Sequence, residues 1–330
     1  MATEAPPRPA APSPKRLSDG QRPPGIVADR AFRYLALAAG LMVLLILALI
    51  AYSTTNEAWP WFKEEGLGIF ANNWDPAHDE FGVGALIYGT FLVSAIALVL
   101  AVPVSIGIAL FVTEIAPPRL RRPIVYVVDL LAAIPSVVYG LWGLIVFAPW
   151  IVTYYEKISD SVSSIPVLNS IFGEPSQAGK SFATAGIIVA IMITPIITSI
   201  IREVYATCPA SLKEAALAMG ATRWEMIRGA VFPHSRSGTV AAVMIGLGRA
   251  VGETIAIALV VGSSVQLSAN ILGPGQTLAG IIPLEFGEAS GTQRAALIGM
   301  GVVLFVATLV IGILARAIVA RTDRRLAGEA

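Results

Sequence analysis

The chain of 330 residues is 55% hydrophobic and only 14% charged, with a formal net charge of +1 and a mean hydropathy of +0.73. This composition excludes an ordinary soluble domain and indicates an integral membrane protein. The single cysteine, Cys208, excludes an intrachain disulfide, and the two histidines are far apart in the sequence. We therefore expect no metal site, no catalytic site and no nucleic-acid partner in this chain.

Six apolar runs predict six membrane-crossing helices, because one crossing needs about 20 residues. The first, 34–53, follows a Pro- and Ala-rich segment, 1–33, that we predict to be a disordered tail rather than a signal peptide. The others fall within a permease domain at 81–319, before a short tail at 320–330. They lie at 82–112, 124–152, 183–201, 238–263 and 293–319. Pro103 is predicted to break or kink the second, which is too long for one straight crossing.

Basic residues predict the direction of the chain in the lipid bilayer, because cytoplasmic loops carry an excess of Lys and Arg. Loops rich in basic residues alternate with loops that are poor in them. The rich segments contain Arg8, Lys15, Arg16, Arg22, Arg30 and Arg33, then Arg119, Arg121 and Arg122, then Arg202, Lys213, Arg223, Arg228 and Arg236, and finally Arg316, Arg321, Arg324 and Arg325. We predict a multi-pass protein of the plasma (cell inner) membrane, with both termini and the loop at 204–236 in the cytoplasm.

The loop at 204–236 is polar, although it lies between two apolar spans. Two capping boxes predict two short helices in series. The boxes are Ser211 with Glu214, and Thr222 with Glu225. Gly220 is expected to end the first helix in a left-handed conformation, and Pro233 is expected to end the second. Such a compact element at a membrane surface indicates a docking site.

The fifth span contains an Arg and a Glu, Arg249 and Glu253, in the run Gly248-Arg249-Ala250-Val251-Gly252-Glu253-Thr254. Charges within the membrane are costly and should face protein or water. A spacing of four residues places both on one helix face, where they can pair, and Gly248, Gly252 and Thr254 form a packing face of small residues. Three interpretations stay open: a structural ion pair, an oxyanion site in which Glu253 holds the Arg249 guanidinium, or a gate.

Glu214, Ala215, Ala216, Gly220 and Pro233 have the spacing of the EAA loop of ABC importer permeases, which this loop resembles. The resemblance implies an all-α polytopic fold of six transmembrane helices, the type I (MetI-like) permease architecture. It also implies that the first short helix docks in a groove of a cytoplasmic ATPase. The alternative is an ordinary amphipathic helix at the membrane surface.

Three further segments narrow the resemblance to the phosphate-specific ABC permeases. They are the 248–254 motif, LAAIPSVVYGLWGL at 131–144, and the second span at 88–117. The fit is better to the PstC-type subunit than to its PstA-type partner. The resemblance implies inorganic phosphate as substrate, with Arg249 and Glu253 needed for transport. The partners it implies are a second, PstA-type permease, two ATPase subunits that use ATP and Mg, and an extracytoplasmic phosphate-binding protein.

The residues leave other interpretations open. Asp129 is expected at the membrane interface or paired with a basic residue, and Pro135 and Gly140 predict a distorted helix, near the pathway or for packing. Gly173–Ser181 resembles a phosphate-binding loop but has five residues between its glycines rather than four, so we expect no cofactor and no ATP hydrolysis in this chain. The functional alternatives are a permease for molybdate or sulfate and, from a different class, a proton-coupled secondary transporter.

Overall fold

The computed structural model describes residues 26–328 and the side chains of 29–317, in two compact units that divide after Tyr52. The first helix, α1 (Ile26–Glu65), passes from one unit into the other. Within the first unit its apolar side chains are exposed, as expected for a helix whose natural surroundings are lipid. The predicted tail at 1–33 lies mostly outside the described residues, and its last part belongs to α1.

The second unit is almost entirely helical, with one small two-stranded sheet. Its helices are α2 (Gly84–Leu110), α3 (Pro118–Ala133), α4 (Ser136–Trp142), α5 (Ala148–Val162), α6 (Pro166–Ile171), α7 (Phe182–Ala206), α8 (Ala210–Ala218), α9 (Arg223–Met226), α10 (Phe232–Val251), α11 (Ile255–Val260), α12 (Leu278–Glu285) and α13 (Gly291–Gly328). A 3₁₀ turn (Gly66–Phe70) and three π-helical segments (Phe111–Ile115, Gly143–Phe147 and Ile227–Val231) extend them. Strands β1 (Trp74–Asp75) and β2 (Glu80–Phe81) pair antiparallel, with Trp74 opposite Phe81.

Within residues 26–328, five helical stretches are long and apolar enough to cross a membrane. They are Asp29–Phe70, Gly84–Ile115, Ser136–Val162, Phe182–Ala206 and Gly291–Ala317. The remaining predicted span, 238–263, corresponds to α10 and α11, which are separated by a break at 252–254. The predicted all-α polytopic class is therefore confirmed, with the fifth of its six segments divided in two.

Helix α7 forms the centre of the second unit, between α2 and α10. Its residues Ile188, Ile193, Ile197 and Ile201 are completely buried. Glycines allow the neighbouring backbones to approach: a Cβ added at Gly246 would lie 2.5 Å from Ile197, one at Gly238 2.5 Å from Val204, and one at Gly186 2.5 Å from Ile96. Such close approach is typical of membrane helices, because packing replaces the hydrophobic effect as the force between them.

A second apolar cluster surrounds Trp61, near the end of α1. Its indole Nε1 donates a hydrogen bond of 3.1 Å to the carbonyl of Phe81, and its ring lies over Gly299 of α13. Leu278 of α12 and Leu297 of α13 belong to the same cluster. The strand pair, the end of α1 and the last two helices are thus packed together on one aromatic side chain.

The segment 264–292, which connects the fifth and sixth predicted spans, is partly packed into the second unit. Gly275 donates a backbone hydrogen bond of 2.9 Å to Val261, and the backbone N–H of Leu278 donates one of 3.0 Å to the hydroxyl of Thr90 in α2. Gln276 and Thr277 are buried. Non-helical backbone is stable at this depth because neighbouring groups satisfy its polar atoms.

Pro103 of the predicted second span and Pro135 of the predicted third span behave differently. Of the two alternatives predicted for Pro103, a break is excluded, because Pro103 lies inside α2 and the helix continues for seven residues beyond it. Near Pro135, as predicted, the third run is distorted: α3 ends at Ala133 and α4 begins at Ser136. The Tyr139 hydroxyl donates a hydrogen bond of 2.9 Å to the Leu131 carbonyl across this break, which satisfies an acceptor that the missing helical turn leaves free.

Gly89→Ala should destabilise the fold, whereas Gly107→Ala in the same helix should not. A Cβ at Gly89 would overlap the backbone carbonyl of Gln276, while a Cβ at Gly107 meets no atom within 4 Å. We expect a loss of about 1–3 kcal/mol for Gly89→Ala from overpacking, measured as a lower unfolding temperature of the purified protein in detergent. Equal unfolding temperatures for the two variants would contradict this packing of α2 on the 261–277 segment.

Candidate functional site

The predicted docking loop folds as two short helices, α8 and α9, joined by a turn at 219–222. The second predicted capping box is confirmed. Glu225 accepts from the backbone N–H of Thr222 at 2.8 Å, and the Thr222 hydroxyl accepts from the backbone N–H of Glu225 at 3.3 Å. The first box is wrong, because Pro209 occupies the cap position and Ser211 lies inside the first turn of α8. Proline starts a helix well since its φ angle is already helical.

Gly220 ends α8 as predicted, with a left-handed φ of +86°. Its N–H donates to the Leu217 carbonyl at 3.0 Å, and the N–H of Ala221 donates to the Ala216 carbonyl at 3.2 Å. This is the Schellman pattern, which satisfies the last carbonyls of a helix. Nothing lies within 4 Å of a Cβ added at Gly220, so its backbone conformation, and not crowding, requires glycine there.

Pro233 does not end the second helix, contrary to the prediction. The π-helical segment Ile227–Val231 joins α9 to α10, so helical backbone continues from Arg223 to Val251. Within it, Phe232 donates its N–H to the carbonyl of Ile227. Pro233 lies in the first turn of α10, where its missing N–H costs little. The second short helix of the docking loop, α9, and Arg249 are therefore on one continuous helical rod.

The outer face of the loop is apolar at its centre. Ala216 is half-buried and packs on the core, whereas Glu214 and Ala215 are exposed. Met219 and Trp224, which the sequence motif did not single out, are 84% and 59% exposed. We call this face the coupling surface; it comprises Leu212, Glu214, Ala215, Leu217, Met219, Gly220 and Trp224. In the sequence, large apolar side chains within an otherwise polar loop are the signal that indicates the coupling surface, and the motif spacing does not contain it.

The capping box depends on ionisation of Glu225. Hydrogen bonds from the Thr222 backbone N–H and from its hydroxyl lower the pKa of this exposed carboxyl below its ordinary value of 4.5. Because the folded-state pKa is lower than the unfolded one, the stabilisation is present above pH 4.5 and is lost as the pH falls through the folded-state pKa. At neutral pH the start of α9 is therefore fully capped.

The structure does not pair Arg249 with Glu253, contrary to the prediction. Helix α10 ends at Val251, and Gly252 closes it with a hydrogen bond of 3.2 Å to the Gly248 carbonyl. Glu253 lies beyond the helix and is only 7% exposed; its Oε1 accepts the N–H of Ala256, 3.4 Å away, at the start of α11. Arg249 is exposed and has no ion-pair partner within the side chains of 29–317. The chain turns at Gly252, so the four-residue spacing no longer corresponds to one helix face.

The predicted packing face beside Arg249 is open within the part of the chain that the structure describes. A Cβ at Gly248 would meet no atom within 4 Å, and one at Gly252 would meet only the Gly248 carbonyl, at 3.3 Å. Thr254 is also exposed. The Arg249 guanidinium and the small residues around it thus form a polar patch that is exposed on the surface of the second unit.

Asp129 of α3 is paired with a basic residue, as one of the two alternatives stated: its Oδ1 lies 3.9 Å from Nη1 of Arg202. At that distance, and with half of the Asp129 side chain exposed, the pair stabilises the fold only slightly.

Glu253→Gln should preserve the break between α10 and α11, whereas Glu253→Leu should disturb it. The Gln carbonyl oxygen can accept the Ala256 N–H, but Leu cannot, and an unpaired buried N–H costs about 1–3 kcal/mol. The measurement is the unfolding temperature of the two variants in detergent. If Glu253→Leu were as stable as Glu253→Gln, the carboxylate would not cap α11.

Residues 101–328 match the model of the binding-protein-dependent transport system inner membrane component family. The phosphate transport system permease protein PstC of Xylella fastidiosa is 41% identical over 300 residues, which covers 90% of this chain and 92% of that protein. PstC of Haemophilus influenzae is 42% identical, over 86% of this chain and 90% of that protein. PstC 2 of Mycobacterium tuberculosis is also 42% identical, over 88% and 91%.

A solved structure shows the same fold at low sequence identity. A bacterial alginate ABC transporter, crystallised with a periplasmic protein bound to an alginate pentasaccharide, aligns with a TM-score of 0.56 at 16% identity, over 91% of this chain and 98% of that one. Together with the match over 101–328 and the PstC relatives, it leads to one conclusion: the chain belongs to the inner-membrane permease family of binding-protein-dependent transport systems.

Proposed function

We propose that the chain is the permease subunit of an ATP-driven importer of inorganic phosphate and forms half of its translocation pathway. The observation that carries this proposal is one continuous helical rod, from Arg223 to Val251, with Trp224 of the coupling surface in its first turn and the exposed Arg249 in its last turn. The names of the relatives support phosphate as the cargo.

In the proposed complex, other subunits hydrolyse ATP, complete the pathway and deliver the cargo. Two ATPase subunits, which hold ATP and Mg, dock on the coupling surface of this chain and of a second, PstA-type permease; the chain itself catalyses no reaction. An extracytoplasmic phosphate-binding protein delivers the cargo. Open space at Gly248 and Gly252 supports the second permease as the neighbour of this face, because small residues allow helices to approach closely. In this arrangement the 204–236 loop and both termini are cytoplasmic.

Transport is proposed to follow alternating access. Closure of the ATPase pair moves the coupling surface, and the rod from Arg223 to Val251 transmits that movement to the region of Arg249. A guanidinium can offer two parallel N–H donors to a phosphate oxygen pair, and its charge offsets part of the loss of hydration. In this proposal Glu253 has a positioning role: its carboxylate accepts the N–H of Ala256 and so stabilises the bend that follows Arg249.

Arg249→Gln should lower phosphate uptake by about tenfold or more, because a hydrogen bond to a charged group contributes about 1.5–3 kcal/mol. Arg249→Lys should retain part of the activity, since it keeps the charge but loses the paired donors. The assay is uptake of radiolabelled phosphate into proteoliposomes that contain the purified four-subunit complex and the binding protein.

Arg122→Gln is the matched control for this experiment, because Arg122 is exposed but lies at the start of α3. It should transport like the unaltered chain. Uptake unchanged by Arg249→Gln, in a complex that still assembles, would contradict the role of Arg249. Competition by molybdate or sulfate as strong as that by unlabelled phosphate would contradict phosphate as the specific cargo.

Gly220→Ala should weaken ATPase attachment, whereas Gly229→Ala should leave it intact. An L-residue in the left-handed conformation of Gly220 costs about 1–2 kcal/mol, and the strain would reshape the turn between the two halves of the coupling surface. Gly229 also has open space around its Cα but no positive φ. Co-purification of the ATPase with each variant measures the effect, and equal recovery would exclude a role for this turn in docking.

A further inference from the structure

We propose that Lys213 and Glu114 form a positioning pair that connects the coupling surface to α2, and thereby gives the ATPase a second route into the membrane helices. This inference rests on the proposed function, since it concerns how movement of the docked α8 is transmitted. It concerns a contact that the EAA spacing does not contain, because Glu114 lies 99 residues before Lys213.

The pair is close and enclosed. Nζ of Lys213 lies 2.5 Å from Oε1 of Glu114, and the side chains are 21% and 8% exposed. The other described ion pairs each include a side chain that is at least 44% exposed. Exposed pairs contribute little because water competes for both partners. In an enclosed pair, removal of one partner leaves the other charge without compensation.

Lys213 and Glu114 belong to two elements that otherwise pack on different neighbours. Lys213 lies at the centre of α8, which packs on α9 and on the π-helical segment Ile227–Val231 of its own half of the loop. Glu114 lies in the π-helical segment Phe111–Ile115 that ends α2. Helix α2 packs along α7 and also contacts α10, the helix of Arg249. The pair therefore connects α8 directly with the end of α2, a helix that packs on both α7 and α10.

A third residue close to this pair is also buried. Cys208, between α7 and α8, is 5% exposed. Burial raises the pKa of its thiol, Lys213 lowers that pKa and Glu114 raises it. The three side chains are therefore mostly enclosed, with exposed fractions of at most 21%. The attraction between opposite charges is stronger there than in water, so α8 cannot shift relative to α2 without loss of this contact.

Two routes would then lead from the ATPase into the membrane. The continuous rod from α9 to α10 carries rotation or translation of the second short helix. The ion pair carries movement of the first short helix into α2. Loss of the pair should leave docking intact, because both side chains are mostly enclosed and lie off the coupling surface, but should reduce the phosphate transported per ATP hydrolysed.

The experiment measures uptake and ATP hydrolysis in the same proteoliposomes, which contain the whole complex and the binding protein. Glu114→Gln and Lys213→Met should each lower phosphate transported per ATP by about fivefold or more, the lower range of coupling between distant sites. Lys213→Arg, which keeps the charge, should retain most of the coupling. The exchanged variant, Glu114→Lys with Lys213→Glu, should recover coupling relative to both single variants. Glu203→Gln, at an exposed carboxylate of the same region, serves as the control and should change nothing.

Each outcome decides the proposal. If Glu114→Gln and Lys213→Met transport as much phosphate per ATP as the unaltered chain, the pair is not a coupling contact. The same conclusion follows if Lys213→Arg and the exchanged variant both transport no more phosphate per ATP than Glu114→Gln and Lys213→Met. Co-purification of the ATPase with each variant separates this result from failed assembly. If the unaltered complex hydrolyses ATP in response to a loaded binding protein but does not move phosphate, the proposed cargo is wrong. In that case the response of ATP hydrolysis to the binding protein still tests the pair.

Discussion

The requirement that backbone polar groups be paired where no water is present accounts for most features of this structure. In hydrocarbon, an unsatisfied N–H or C=O costs several kcal/mol, so almost all of the described second unit is helical. Where the helix is interrupted, another group replaces the lost bond. The Tyr139 hydroxyl does so beside Pro135, and the Thr90 hydroxyl does so at the start of α12. Glu253 does so between α10 and α11.

The same constraint explains why α9, the second short helix of the docking loop, and the candidate anion site share one helical rod. Proline at 233 removes a backbone donor, but the preceding π-helical turn shifts the bonding pattern and keeps the rod continuous. A break there would have separated the docking surface mechanically from Arg249. The interruption occurs instead after Val251, just beyond the guanidinium, where Gly252 allows the chain to turn.

Four charged side chains fall into two groups with different physical roles. Glu253, Glu114 and Lys213 are enclosed and have definite partners, and we assign them to positioning. Arg249 is exposed and has no ion-pair partner among the side chains of 29–317, which is consistent with its proposed contact with the cargo. This division replaces the intrahelical Arg249–Glu253 pair that the spacing alone suggested, because residues four apart face each other only if the helix continues between them.

The sequence by itself determined the membrane class, the approximate spans, the helix–turn–helix at 210–226 and its second capping box, because these depend on local composition and on contacts within a few residues. It also indicated the left-handed turn at Gly220, since that conformation is a property of a single residue. The tertiary structure alone decided the course of the chain at Pro103, Pro233 and Gly252, where packing and distant hydrogen bonds determine whether a helix continues. It alone also decided the burial of Gln276 and Thr277 and the contact of Lys213 with Glu114, because residues so far apart in sequence meet only when the helices have packed.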